Sequence, residues 1–455
     1  MLYNTETKKF NVETESFVSK YEDTSLHDAD EIFMATMRLG KRMIKDSGID
    51  LISLSGTWHS LVLCDEGMNP VTPVYQWSNT EASETCRALR RDKEFVDRYY
   101  NRTGCMVNAI YPSFKLMMLK KKGYDIGRYL ISGQGDYNFY RLTKVRATMD
   151  SMASGTGLLN IRERKYDQEI LESIGITEDQ LARIVTYRET FPLSEEGAEV
   201  LGVTPGIPVM TTGPDGGLNQ IGAGATAHGV MTFSVGTSGA LRLSTDSPVI
   251  PETPSTWCYL SPKSWLSGAA TSGCTNCIDW YKESMFSADT TYAEIEQGIN
   301  KAVEPPIFLP FLYGERSPGW KDQRTARFCG IRPYHSKYEA YNGVLQGVLF
   351  NLYQNYLILE KLNGKPKKIM LSGGILNSPY WTQMCADIFN AEMVINEVEH
   401  SSLLGGVALG MEILGVVEDS KDFQLMDEKR IIPDKEKHHI YRGIYSKYEK
   451  YYNES

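Results

Sequence analysis

The sequence predicts an α/β protein built as two domains, and three observations carry that prediction. A chain of 455 residues is too long for one hydrophobic core, since single cores stop growing beyond roughly 250–300 residues. Short strand-like apolar runs alternate with helical stretches in both halves. Glycine turns close three of those strands, at 213–217, 236–239 and 372–374, as a nucleotide cleft between two α/β domains requires.

In chain order, a short strand at 2–4 and a polar stretch lead to an amphipathic helix over 27–45, with Phe33, Met37 and Ile44 on one face. Strands follow at 51–54 and 60–64, the second leaving through the Asp65-Glu66-Gly67 turn. Helical patterns run over 80–99, 113–121 and 177–190, and a strand at 209–212 delivers the chain to Asp215. The small and apolar residues of 218–227 read as a helix on that sheet, with Gly222 to Ala227 serving close helix packing. In the second half a hairpin is predicted from strands 231–235 and 240–243 around the Gly236-Thr237-Ser238-Gly239 turn. Helix 289–302, strand 307–310, a long helix over 338–362, strand 368–371 and a helix from Pro379 complete the reading. The boundary is placed near 227–229, giving units 1–227 and 228–455.

Composition narrows the function classes. Hydrophobic content of 42% with 23% charge describes an ordinary globular protein, and a net charge of −9 argues against nucleic acid as partner. The basic clusters at 87–93, 120–122 and 365–368 are short and read as solvated helix ends or turns. No apolar run is long enough to span a bilayer and the N-terminal residues lack a signal-peptide pattern, so a cytoplasmic location without membrane association is expected. Eight scattered cysteines suit a reducing compartment. Cys274 and Cys277 form the one C-x-x-C pair, read as two interior thiols because no further metal ligands stand at usable spacing. Oligomeric state leaves no sequence signal; a homodimer is carried only as the commonest association.

Several chemistries are excluded by their motifs. There is no G-x-x-x-x-G-K-S/T loop, no H-R-D or D-F-G pair, and no G-x-S-x-G elbow. What remains is one acid, Asp215, among glycines, followed by a second glycine turn at 236–239. Glycine backbones approach ligands closely, and such turns aim N–H groups at phosphates. An acid beside a phosphate-binding turn is the minimum equipment for phosphoryl transfer to an alcohol. Taken singly, each turn is more often just a turn, and Asp215 more often a helix cap.

The segments SLSGTWHSLVL (53–63), DSMASGTGLLN (150–160), GPDG (213–216), SVGTSGALR (234–242), FLPFLYGERSP (308–318) and LSGGILNSPYW (371–381) resemble, in order and spacing, the FGGY-type carbohydrate kinases. The resemblance covers about residues 1–415 and implies two ribonuclease H-like (actin-like ATPase) domains, with sugar and MgATP meeting in the cleft between them. It implies that Asp215 is the general base, that Gly236, Thr237, Ser238 and Gly239 grip the ATP phosphates, and that Gly373, Gly374 and Asn377 border the adenosine. Trp58, His59, Trp77 and Asn79 fall where the family contacts the sugar. ATP and Mg²⁺ are implied as cosubstrate and metal, the Mg²⁺ near Asp215 with no side-chain ligand set of its own. Within the family, the ends of SVGTSGALR and GERSPGW are most similar to gluconate kinases, implying gluconate phosphorylation to 6-phosphogluconate; xylulose kinases come next. Arg242 is expected in a structural salt bridge, with a substrate carboxylate as the lesser alternative.

The resemblance has departures. The family's W-x-D-x-R stretch reads Trp77-Ser78-Asn79-Thr80-Glu81, and a usual lysine is Gly135. The family opens with a strand, a D-I-G-T-T-type turn that forms the first phosphate loop, and a second strand. This sequence starts at Met1-Leu2-Tyr3-Asn4, matching the end of that second strand. The expectation is a start codon upstream, which the intact remaining motifs favour, or else a catalytically impaired sugar- or nucleotide-binding remnant.

Overall fold

The computed structural model describes residues 1–45, 47–396, 400–423 and 428–454. Two central sheets organise the chain. In the first half, strand Pro208–Pro214 lies parallel to Ile52–Gly56 on one side and antiparallel to Thr190–Pro192 on the other. Its burial is nearly complete, as a central strand's must be. The other edge of Ile52–Gly56 has no strand partner among the described residues. It borders a groove of about 200 Å³ shared with Leu2 and Tyr3, of hairpin Leu2–Tyr3 with Phe10–Asn11, and with Gly406 and Gly410.

The second half is built on a seven-stranded sheet in the order Trp257–Leu260, Trp265–Thr271, Gly239–Thr245, Val230–Val235, Lys368–Ser372, Met393–Asn396, Glu428–Ile431. Hairpin pairing dominates one side, while Val230–Val235, Lys368–Ser372 and Met393–Asn396 run parallel. The long helix Lys337–Asn363 is started by Ser336 and Glu339 in a reciprocal capping box and buries residues around most of its circumference. Its Val344, Val348, Leu352 and Leu359 join Phe233, Leu241 and Leu371 in the core.

The halves interlock rather than merely abut. Helix Asp215–Gly222 crosses helix Ser401–Ile413 backbone to backbone: a Cβ on Gly222 would lie 1.9 Å from the Ser401 carbonyl oxygen, and one on Gly405 2.0 Å from that of Leu218. Close helix packing by Gly222 is thus observed, although the helix starts at Asp215 and ends at Gly222 instead of spanning 218–227. Glu412, on the second helix, accepts hydrogen bonds from Tyr187 Oη (2.7 Å), Lys263 Nζ (2.8 Å) and the Ser420 amide (2.8 Å), and pairs with Arg188. Burial alone would raise its pKa, but Lys263, Tyr187 and the Ser420 N–H hold it down at about 2. A carboxylate depressed in the folded state stabilises above its unfolded value and loses that contribution as pH falls through the folded one. Glu412→Gln is therefore expected to melt below the parent protein at pH 7, the gap closing as pH falls from 4.5 toward about 2. Parallel melting curves across that window would refute it.

Three further helical readings are corrected. The stretch 80–99 is two helices, Ser83–Leu89 and Lys93–Thr103, because Asp92 caps a new start by accepting from the Phe95 amide (3.0 Å). The stretch 177–190 holds a short turn, Glu178–Gln180, and strands Arg183–Val185 and Thr190–Pro192. Arg183–Val185 pairs parallel with Ala147–Met149, so sheet pairing overrides local pattern. The helix read over 289–302 is confined to Tyr292–Gln297. Cys274 and Cys277 are buried free thiols, both with pKa values pushed up by burial. Among the described residues, no helix is long and apolar enough to cross a membrane.

Candidate active site

Strand register brings the first parts of the site together. Pro214 sits opposite Gly56 across the parallel pair Pro208–Pro214 and Ile52–Gly56, so the chain leaves both strands at the same end. Asp215 opens a helix on one, while Trp58 and His59 follow the other. Asp215 Oδ1 accepts from the Gly216 amide at 2.7 Å. Burial raises its pKa above 3.8 against the opposing pull of that amide and of Arg242.

Trp58 is fixed from three sides. Its indole N–H donates to the Ser151 carbonyl at 2.9 Å. A Cβ on Gly155 or on Gly216 would stand 2.4 Å from its ring, so both positions must be glycine for the indole to lie there. The segments 150–160 and 213–216 therefore serve one aromatic side chain. His59, in the left-handed region at φ 68°, points Nδ1 at the Gly155 carbonyl. A carbonyl only accepts, so Nδ1 carries the proton and Nε2 is left as an acceptor. Burial drops the His59 pKa to about 3, with Lys115 and Arg316 adding to the fall, so the imidazole is neutral. Its ring lies edge-on to Tyr111 and Tyr259, whose hydroxyls are 2.5 Å apart. Beneath this segment Lys115, fully buried, donates to the carbonyls of His59 (3.0 Å), Gln76 (2.7 Å) and Ile110 (2.9 Å).

Opposite stands the hairpin of Val230–Val235 and Gly239–Thr245. Its turn folds on itself, the Gly236 amide donating to Ser238 O at 3.0 Å, and leaves Thr237 exposed. Ser234 pairs with Ser372 in the parallel neighbour Lys368–Ser372, so the turn beginning at Gly373 lies beside the first. Gly373 has φ 96°, and a Cβ there would be 2.5 Å from Val235 O; no other residue allows the two turns this approach. Gly374 and Asn377 continue into a short helical turn, Gly374–Asn377, with Asn377 exposed.

One cavity of about 190 Å³ joins the two walls: Trp58, His59 and Trp77 from one, Ser238, Gly239 and Arg242 from the other, with Asp215 between them. Two sequence readings are not supported. Asn79 is buried and does not line the cavity; its amide nitrogen is engaged by Ser25 Oγ (3.0 Å) and Glu81 Oε1 (3.1 Å). The Glu81 that replaces the expected arginine is one of the groups holding it. Arg242 forms no ion pair among the described residues; its guanidinium reaches Ser234 Oγ at 3.4 Å. Conversely, no sequence pattern singles out Tyr259, Trp257 or Arg316, which also line the cavity, or Lys115 beneath it. Among the described residues, no group of three or more His, Cys, Asp or Glu is arranged to hold a metal.

Known proteins place this geometry. The profile of the FGGY family of carbohydrate kinases, N-terminal domain, matches residues 1–222, and that of the C-terminal domain matches 231–412. The gluconokinase of Bacillus subtilis (strain 168) is 29% identical over 417 residues, covering 87% of this chain and 81% of its own. The crystal structure of gluconate kinase from Lactobacillus acidophilus superposes with a TM-score of 0.91 at 28% identity, over 96% of this chain and 92% of that one. The ligand-bound xylulose kinase from Lactobacillus acidophilus superposes with a TM-score of 0.94 at 28% identity, over 99% and 94%. The fold is accordingly the two-domain α/β arrangement of the ribonuclease H-like, actin-like kinases.

Proposed function

Because the chain belongs to the FGGY family of carbohydrate kinases, we propose that it phosphorylates a sugar acid with ATP, gluconate first, giving 6-phosphogluconate in the cytoplasm. The observation that carries this reading is the single cavity touched at once by Asp215, by Trp58 and His59, and by Ser238 and Gly239. Residues 1–227 then supply the sugar wall and 228–455 the nucleotide wall.

Asp215 acts as the general base. Its raised pKa brings a carboxylate closer to working pH, where proton abstraction is most effective. As the sugar's primary hydroxyl loses its proton to Asp215, its oxygen bonds to the γ-phosphorus and the bridging oxygen leaves with ADP. His59 Nε2 accepts from a sugar hydroxyl, and Trp58 and Trp77 flank the ring or chain. Backbone N–H groups of the Gly236 to Gly239 turn and the exposed Thr237 hold the phosphates, and Gly373, Gly374 and Asn377 border the adenosine. The exposed, glycine-lined turns fit a phosphate chain; Mg²⁺ fits as a companion of the ATP phosphates near Asp215, where it would supply charge neutralisation. Closure of the two walls excludes water, which would otherwise be the acceptor.

The high structural similarity to a xylulose kinase supports a second acceptor, xylulose. A coupled assay of ADP release over gluconate, xylulose, ribulose and glycerol tests both. Gluconate is expected to give the highest kcat/KM. Xylulose in first place would move the assignment within the family. No turnover of any of the four would favour a protein that kept the cleft and lost the chemistry.

A further inference from the structure

The cavity beside Asp215 carries more positive charge than its own residues balance. Arg242 and Arg316 both line it. The Nε of each is buried without a hydrogen-bond partner among the described residues, and neither guanidinium forms an ion pair there. Arg242 has the single 3.4 Å contact with Ser234 Oγ. The acids flanking Arg316 in sequence are engaged elsewhere: Glu315 takes Arg324 (2.9 Å) and Asp322 takes Arg90 (2.9 Å). Asp215 is the lone carboxylate lining the cavity, and His59 is neutral there. Burial pulls the Arg242 pKa down, Asp215 opposes that, and Arg316 adds to it, as two like charges facing one space must. A guanidinium whose Nε–H is buried without a partner is costly, and planar, forked donors match carboxylates. A neutral sugar would leave this excess standing.

We propose that Arg242 and Arg316 together form an anion subsite that takes the carboxylate of a sugar-acid substrate and sets selectivity for acids over neutral sugars. This deepens the kinase reading and rests on it for the substrate class. The same chemistry could serve the transferring phosphate, since Ser238 and Gly239 line the cavity too; the arms of the test separate the two. Glucitol has the length and hydroxyls of gluconate with CH₂OH in place of the carboxylate, so it serves as the neutral probe.

Binding of gluconate and of glucitol is measured by calorimetry without ATP, and turnover of each with ATP, for the parent protein, Arg242→Met, Arg242→Lys and Arg316→Met. The parent protein is expected to bind gluconate in preference to glucitol. Each Met variant should lose about 10²-fold in gluconate kcat/KM, with a much smaller loss for glucitol, as Arg242 also acts on the Asp215 carboxylate, and with the KM for ATP unchanged. Arg242→Lys should recover part of the gluconate loss. Equal losses for gluconate and glucitol, or a raised KM for ATP, would assign the pair to the phosphate and overturn the proposal. So would a Met variant that keeps the gluconate preference, or a parent protein that binds neither probe. Selective gluconate binding without any turnover would sink the kinase reading and leave the subsite standing. A cooperative thermal melt close to that of the parent protein shows that a variant is folded.

Discussion

Asp215→Asn is expected to lower kcat for the preferred sugar acid by about 10²- to 10⁴-fold, the usual worth of a general base, with nucleotide affinity retained. The substitution keeps the shape of the side chain and its contact with the Gly216 amide while removing the proton acceptor. The turns assigned to ATP lie on strands Val230–Val235 and Lys368–Ser372 of the other sheet, so they have no reason to move. The pH dependence follows from the raised Asp215 pKa. Activity of the parent protein should fall as pH drops through that value, placing the acid limb above 3.8, whereas the residual activity of the variant should lack that limb. Stability gives an independent control. With a folded pKa above the unfolded one, the unfolded chain ionises first, so the aspartate weakens the folded state as pH rises through that window. The asparagine variant should then melt no lower than the parent protein at pH 7. A variant that phosphorylates gluconate at the normal rate would remove Asp215 from the role of base.

The parts of this site that were legible in the sequence are those that local backbone chemistry dictates. Asp215 and the turns at Gly236 and Gly373 announce themselves because glycine at a strand end means a turn or a close approach, and Gly373 proves to be both. Trp58 and His59 were found through the motif after strand Ile52–Gly56, and the structure supplies the reason: register opposite Pro214. What was not legible depends on partners far along the chain. Tyr259 and Trp257 lie on a strand that carries no local signal, and Arg316 reaches the cavity from a loop whose motif does not indicate its direction. Asn79 stands at a sugar-contacting motif position, yet Ser25 Oγ and Glu81 occupy its amide. No spacing rule reveals that a hydrogen-bonding group is already used. The misread helix over 177–190 failed for the same reason, since its strand Arg183–Val185 exists by pairing with Ala147–Met149.

Lys115 is the sharpest case of a residue invisible to pattern, and its replacement should have the largest effect on stability near the site. It sits in helix Pro112–Lys121, N-terminal to the exposed lysines that end it, and is 0% exposed. Its three N–H bonds go to the carbonyls of His59, Gln76 and Ile110, tying the segment that carries Trp58 and His59 to the one that carries Trp77. Burial pulls its pKa down to about 7. The carbonyls, one for each N–H, favour the ammonium, because a neutral amine would leave one acceptor without a donor. Lys115→Met keeps most of the stem's packing and deletes the donors. The Gln76 carbonyl retains the Asn79 amide (3.0 Å), but those of His59 and Ile110 lose the lysine, and unsatisfied buried acceptors together cost on the order of 3 kcal/mol. Chemical denaturation should show that loss. With the tie gone, Trp58, His59 and Trp77 lose their relative placement, so the KM for the sugar acid should rise while the KM for ATP, proposed to bind the opposite wall, stays constant. A variant with an unchanged denaturation midpoint would mean that the carbonyls find other donors. Loss of stability with an unchanged sugar KM would show that Lys115 holds the core of this half without setting the geometry of the cavity.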